Sequence, residues 1–268
     1  MWALILGGSS GFGAASARAF AAAGYDIAAV HLDRRGTMPQ VEALQAEIQA
    51  MGRVAAFYNV NAADDERRAE VMADLTARIA PGGMRVLLHS LAFGSLLRFV
   101  APPLTADEVE QGVKPAKTAS RKQLEMTLDV MANSLVYWTQ DVVGTGLMGR
   151  GGRVFAMTAA GSHVAWGGYG PVAAAKSALE SYCRQFALEL APHGISTNAI
   201  LAGVTKTPAL AKIPGSEKLI AGATARNPFG RLTEPEDVAK ALVLLAQQDA
   251  TWINGNVLRI DGGEDVCG

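Results

Sequence analysis

Two periodicities take turns along the chain. Strand-like apolar runs at residues 4–6, 26–31, 54–60, 84–89, 152–157 and 195–201 are separated by segments at 14–23, 41–51 and 64–80 whose apolar positions recur at helical spacing. Gly24, Gly52 and Pro81-Gly82-Gly83 close those first three helices. Strand and helix alternating in this way predict a parallel sheet covered by helices, a single doubly wound α/β domain over residues 1–268. Residues 124–148 read as one long helix with apolar positions on several faces, and so does 171–190. Too few charges remain there for a solvated face, which predicts pairing with other copies in a homotetramer. Two stretches lack a period. Residues 95–120, with Pro102, Pro103 and Pro115, are long enough to be a functional loop walling a pocket. Residues 208–229, broken by Pro208, Pro214, Gly215, Gly222 and Pro228, read as a mobile lid.

Composition narrows the class. Half the residues are apolar and 18% are charged, with a mean hydropathy of +0.17, which is consistent with apolar surface buried between subunits. A net charge of −1 argues against nucleic acid as the main partner. The two cysteines, Cys183 and Cys267, form neither a disulfide framework nor a metal-ligand cluster, as expected in a reducing cytosol. The opening Met1-Trp2-Ala3-Leu4-Ile5-Leu6 has no basic flank or cleavage site, and the longest uncharged window, 154–175, is broken by Gly161, Gly167, Gly168, Gly170 and Pro171. No membrane span is expected.

Candidate chemistry begins at the first turn. Gly7, Ser9, Ser10, Gly11, Phe12 and Gly13 lie between the first strand and the first helix, where a backbone turn and a helix N-terminus receive a pyrophosphate. The second strand ends at His31, where NAD-specific folds usually carry an acid, and Arg34 and Arg35 follow. Arginines suit a 2′-phosphate, so NADPH is favoured over NADH; the alternative is that Asp33 takes the ribose. Asn59 and Val60 are placed to meet the adenine edge, and the segment His89-Ser90-Leu91-Ala92-Phe93-Gly94 falls at the carboxyl end of the sheet. His89 itself reads as a strand-end residue and not as a catalyst. Lys114, Lys117, Arg121 and Lys122 form a basic cluster that reads as a solvated face, the alternative being attraction of an acidic carrier protein or a coenzyme A phosphate. Tyr169 and Lys176 stand seven positions apart, which returns to within roughly 20° of one helix face, about 10 Å along its axis. A phenol and a cation in that relation suit stabilising an oxyanion.

These pieces, with Asn198 to Thr207, 231–238 and the Asp261-Gly262-Gly263 ending, resemble the short-chain dehydrogenase/reductase superfamily over essentially the whole length. In its commoner carbonyl-reducing branch the tyrosine stands four residues before the lysine, a place held here by Val172, and the residue thirteen before that is Ala159 instead of serine. The Tyr-x6-Lys spacing and the 89–94 segment look instead like the divergent enoyl-acyl carrier protein reductases, nearest to their NADPH-dependent type III branch. That resemblance implies Tyr169 as donor to an enolate oxygen, Lys176 on the nicotinamide ribose, Ser90, Leu91 and Ala92 beside the cofactor, and Thr205 and Thr207 along the nicotinamide and pyrophosphate. It also implies an enoyl thioester substrate, on an acyl carrier protein or coenzyme A. Ala159 also stands where many enoyl reductases have a second tyrosine, and Leu6 replaces a threonine usual before the first glycine. An NADPH-dependent carbonyl reductase and a non-catalytic dinucleotide sensor are the alternatives.

If Arg34 and Arg35 hold a 2′-phosphate, the protein binds NADPH more tightly than NADH by about 2 kcal/mol. Replacing both with alanine erases the difference in titration calorimetry, and equal affinities in the unaltered protein would refute the assignment.

Overall fold

Continuous apolar runs form the middle of the sheet because helices cover both of its faces. The computed structural model describes residues 1–207, 210–212 and 215–267. Strands β1 (Trp2–Leu6) and β5 (Arg153–Thr158) are buried along their whole length, and β6 (Ser196–Ala202) nearly so. The flanking strands β3 (Ala55–Asn59) and β7 (Val257–Ile260) are only partly covered. With β2 (Asp26–His31) and β4 (Met84–His89) they make one parallel sheet in the order β3-β2-β1-β4-β5-β6-β7. The strand order reverses direction beside β1, which opens a crevice at the carboxyl edge between β1 and β4.

Helices α1 (Gly11–Ala22), α2 (Met38–Ala50) and α9 (Pro235–Leu245) pack on one face, around Phe20, Ile48, Phe155 and Leu242. On the other face lie α3 (Asp65–Arg78), α6 (Ser134–Gly144) and α7 (Gly170–Glu189), around Trp138, Leu135 and Leu179. Trp138 is fully buried, and its indole N–H donates to the Ala62 carbonyl at 2.8 Å. No helix among the described residues is long and apolar enough to cross a membrane.

The single helix expected over 124–148 is instead two helices with a π-helical turn between them. The first, α5 (Arg121–Leu128), starts at a capping box made by Ser120 and Gln123, and α6 starts after the turn at Asp129–Asn133. At the junction the Ser134 hydroxyl donates to the Val130 carbonyl at 2.8 Å. Such back-bonding and the wider turn are recognised causes of a local bend. The chain leaves α6 at Gly144, so Met148 belongs to the following turn. The long loop after β4 contains a one-turn helix, α4 (Ala106–Glu110), capped reciprocally by Thr105 and Glu108. In the region expected as a lid, the described part includes α8 (Ser216–Arg226); Pro208 and Pro214 lie outside the described residues.

Close backbone approach decides which glycines tolerate a side chain. A Cβ on Gly13 would overlap the Gly7 carbonyl oxygen, whereas one on Gly36 meets nothing within 4 Å. Gly13→Ala is therefore expected to destabilise the fold by about 1–3 kcal/mol in urea unfolding. Gly36→Ala should be neutral or slightly stabilising.

Candidate active site

The carboxyl edge of β1 and β4 brings together the turns expected to hold a ligand. Leaving β1, Gly7 and Gly8 both donate to the Val30 carbonyl, at 2.8 and 3.1 Å. Ser10 then caps α1 in an extended conformation, with no side-chain cap bond and no acid in the first helical turn. The helix therefore begins with main-chain N–H groups facing the edge and no carboxylate competing for them, as an anion site requires. Ser90 N–H donates to the Leu6 carbonyl at 2.8 Å, and its own carbonyl lies against Gly7. From the far side Thr207 reaches Gly11, its methyl 3.3 Å from where a Cβ would stand. Thr205, buried below, donates to Gly203 O at 3.0 Å.

At the end of β2 the His31 side chain is buried, and its Nδ1 lies 3.0 Å from Asp33 Oδ2. Burial lowers the imidazole pKa despite Asp33, so the ring is neutral and Nδ1–H donates. Burial works against the Asp33 carboxylate too, but hydrogen bonds from Ser9, Thr37 and His31 outweigh it and hold the group below its usual pKa. The ligand-facing end of β2 thus does carry a carboxylate, two residues beyond the strand and beside the glycine turn. Asn59 spends its amide on the Asp33 main chain, accepting from N at 2.9 Å and donating to O at 3.0 Å. It fixes the turn that presents Asp33, while Val60 extends the same clamp through Val60 N to His31 O at 2.8 Å. Arg34 and Arg35 are exposed and make no ion pair among the described residues.

Tyr169 is the N-cap residue of α7 and Lys176 lies two turns in. Lys176 is 5% exposed; its ammonium donates to the Met157 carbonyl at the end of β5 (2.6 Å) and to the Leu91 carbonyl after β4 (3.4 Å). Burial lowers its pKa to about 8, with Glu180 opposing the shift. One turn on, Glu180 accepts from the Thr158 hydroxyl at 2.6 Å, so helix and strand end are joined twice. The half-buried Tyr169 ring stands over Gly161 and meets Trp166 edge-on, with centroids 5.6 Å apart and planes at 87°. Its hydroxyl makes no hydrogen bond among the described residues, and burial raises its pKa, so it is a neutral acid at pH 7. Val172, by contrast, is in the core, its Cγ2 packed toward Gly94.

His89 is fully buried beneath this site. Ser134 gives its only proton to Val130, so His89 Nε2–H donates to Ser134 Oγ at 2.9 Å. Burial, then the Lys176 charge, lower its pKa to about 3, which leaves it neutral and unsuited to giving up a proton.

Three groups escaped the sequence reading. Glu180 was detectable, standing four positions after Lys176 on one helix face. Trp166 lies in a glycine-rich loop without periodicity. Glu264, buried near the end of the chain, accepts from Val204 N at 3.0 Å and so holds the loop carrying Thr205 and Thr207, a contact across 60 positions that no local pattern marks.

Residues 7–264 match the family described as enoyl-(acyl carrier protein) reductase. The chain is 32% identical over 187 residues to the NADH-dependent enoyl-[acyl-carrier-protein] reductase of Aquifex aeolicus, a match covering 70% of the chain and 64% of that enzyme. It is 25% identical over 260 residues to a 3-oxoacyl-[acyl-carrier-protein] reductase of Thermotoga maritima, covering 97% and 96%. A short-chain dehydrogenase from Burkholderia cenocepacia, solved with NADP, superposes with a TM-score of 0.79 at 25% identity, over 98% of this chain and 97% of that one.

The Lys176 pKa sets a stability signature. Its folded value of about 8 lies below the ordinary 10.5, so the unfolded chain binds more protons between those values and folding strengthens as pH rises through that window. Urea unfolding should show the wild type gaining stability relative to Lys176→Met between pH 8 and about 10. Parallel pH profiles for the two proteins would mean that the lysine is not desolvated.

Proposed function

The chain belongs to the short-chain dehydrogenase/reductase superfamily, in the enoyl-(acyl carrier protein) reductase family, and from that footing we propose that it uses NADPH to reduce the 2,3-double bond of an enoyl thioester. The observation that carries this reading is the position of the phenol. Tyr169 heads α7, while Val172, four residues before Lys176, is buried in the core.

Hydride delivered to the β-carbon of an enoyl thioester places the growing negative charge on the carbonyl oxygen, two carbons further along. A phenol one turn further from the lysine suits that oxygen better than the alkoxide of a ketone. Tyr169, kept neutral by burial, stabilises the enolate oxygen with a hydrogen bond, and the α-carbon then takes a proton from solvent. The residues present fit a dinucleotide: Gly13 lets the turn fold back onto the Gly7 carbonyl, and α1 starts there without an acid, so its first main-chain N–H groups are left for an anion. The turn from Gly7 to Gly13, with Thr207 against it, would hold the pyrophosphate; Lys176 would hold the nicotinamide ribose, beside Ser90 to Ala92. When bound, the dinucleotide supplies the hydride.

For the cofactor, exposed Arg34 and Arg35 favour the 2′-phosphate. Asp33, although beside the glycine turn, has a side chain only 15% exposed and already engaged by His31. Exposed Leu124, Leu128 and Leu188 support a homotetramer, and the free, buried Cys183 fits a cytoplasmic setting. A second reading, reduction of a 3-ketoacyl thioester, is supported by the Thermotoga relative's match along 97% of the chain and by the Thr158 hydroxyl at the end of β5.

Dinucleotide oxidation followed with an enoyl thioester and, separately, a 3-ketoacyl thioester distinguishes the two. The enoyl substrate is expected to turn over, and Tyr169→Phe to slow it by about 10 to 1000-fold with little change in cofactor affinity. Lys176→Ala should weaken both. Turnover of the ketoacyl substrate alone would replace the first reading with the second.

A further inference from the structure

At the opposite edge of the sheet Arg85 and Arg153 form no ion pair among the described residues. Arg153, the first residue of β5, is 1% exposed. Its guanidinium donates to the carbonyls of Leu245 (3.2 Å), Gly151 (2.8 Å), Gly152 (3.0 Å) and Gln247 (3.0 Å), and to Thr251 Oγ1 (2.9 Å). All five acceptors are neutral. The titratable groups that act on it are Arg85, a like charge, and Tyr25, a phenol whose own pKa is raised by burial. A buried guanidinium is ordinarily paired with an acid. Here the final carbonyls of α9 and the turn after it hold the charge without cancelling it.

Arg85, the second residue of β4, lies beside it with a single weak bond among the described residues, Nε to Ala246 O at 3.4 Å. One of its Nη atoms occupies the space that a Cβ on Gly151 would fill. Arg85 and Arg150 line one pocket of ≈ 320 Å³ together with Gly151, Gly194, Gln248 and Thr251. Neither arginine forms an ion pair among the described residues; nor does Asp249, the acid on the turn carrying Gln248 and Thr251. Two guanidinium forks with unused N–H donors, backed by a third fixed positive charge, match a dianionic tetrahedral oxyanion better than a single carboxylate.

We propose that the pocket between Arg85 and Arg150 binds a phosphate group, free or as the end of a phosphate monoester. It sits at the amino-terminal edge, a strand length of roughly 15 Å from the Lys176 end, so its ligand is distinct from the pyrophosphate expected at the glycine turn. The proposal does not depend on the reaction catalysed.

Two measurements test it. Titration calorimetry with inorganic phosphate and with glycerol 3-phosphate, at fixed ionic strength, should reveal a site that Arg85→Ala/Arg150→Ala weakens at least tenfold. Arg150→Ala alone removes an exposed side chain with no hydrogen bond among the described residues, so it keeps the test valid if the double variant misfolds; a loss of threefold or more is expected. Tighter binding of the monoester would assign the ligand to a larger phosphorylated molecule, and tighter binding of phosphate to the free ion. Crystals soaked in tungstate should show anomalous density between the two arginines. Density only at the glycine turn, or affinities unchanged in both variants, would overturn the proposal.

Discussion

The architecture of the ligand edge depends on one buried cation. Lys176 has to be brought from the helical layer to the sheet, and it is stable there only because β5 and the loop after β4 each turn a main-chain carbonyl toward it. That requirement fixes the distance of α7 from the sheet, the path of the chain through Leu91, and the placing of Glu180 against Thr158. It also reaches downward, since the ammonium helps keep His89 neutral. With α7 so anchored, its N-cap residue Tyr169 is set over Gly161 and against Trp166.

Much of this was legible in the chain because its signals were local. The strands at 26–31 and 84–89 fall where their apolar runs and flanking turns indicated, and the glycine turn lies between the first strand and the first helix as read. Even the inward turn of His31 follows from parity: it shares a strand face with Ile27 and Ala29, both buried in the layer under α1 and α2. The broken helix was hidden, because a π turn slips the register by one residue inside a sequence that is apolar on several sides. Helix α4 was obscured by the neighbouring prolines, although Thr105 and Glu108 carry the spacing of a capping box. The carboxylate beside Ser9 needed the fold, since its placement depends on Asn59 reaching across from the next strand.

A parallel sheet with helical connections also sorts helix ends. Helices such as α1 begin at the carboxyl edge and present N–H groups there, while carbonyl ends such as that of α9 gather at the other edge. The side chains at each edge answer those ends. The carboxyl edge has an acid-free helix start and one desolvated lysine; at the amino edge, Arg153 and Arg85 are drawn to the last carbonyls of α9. The polarity of the fold therefore reaches into side-chain composition as well as backbone direction.

The burial of Val172 bears on which side chains α7 can carry at that position. Its methyl, Met131 Sδ and Thr127 Cγ2 crowd the space beside Gly94, leaving no room there even for one added carbon. A phenol introduced at position 172 would have to displace that cluster before it reached the crevice. Placing a large aromatic ring there is then a concerted rearrangement of several side chains and not a local exchange.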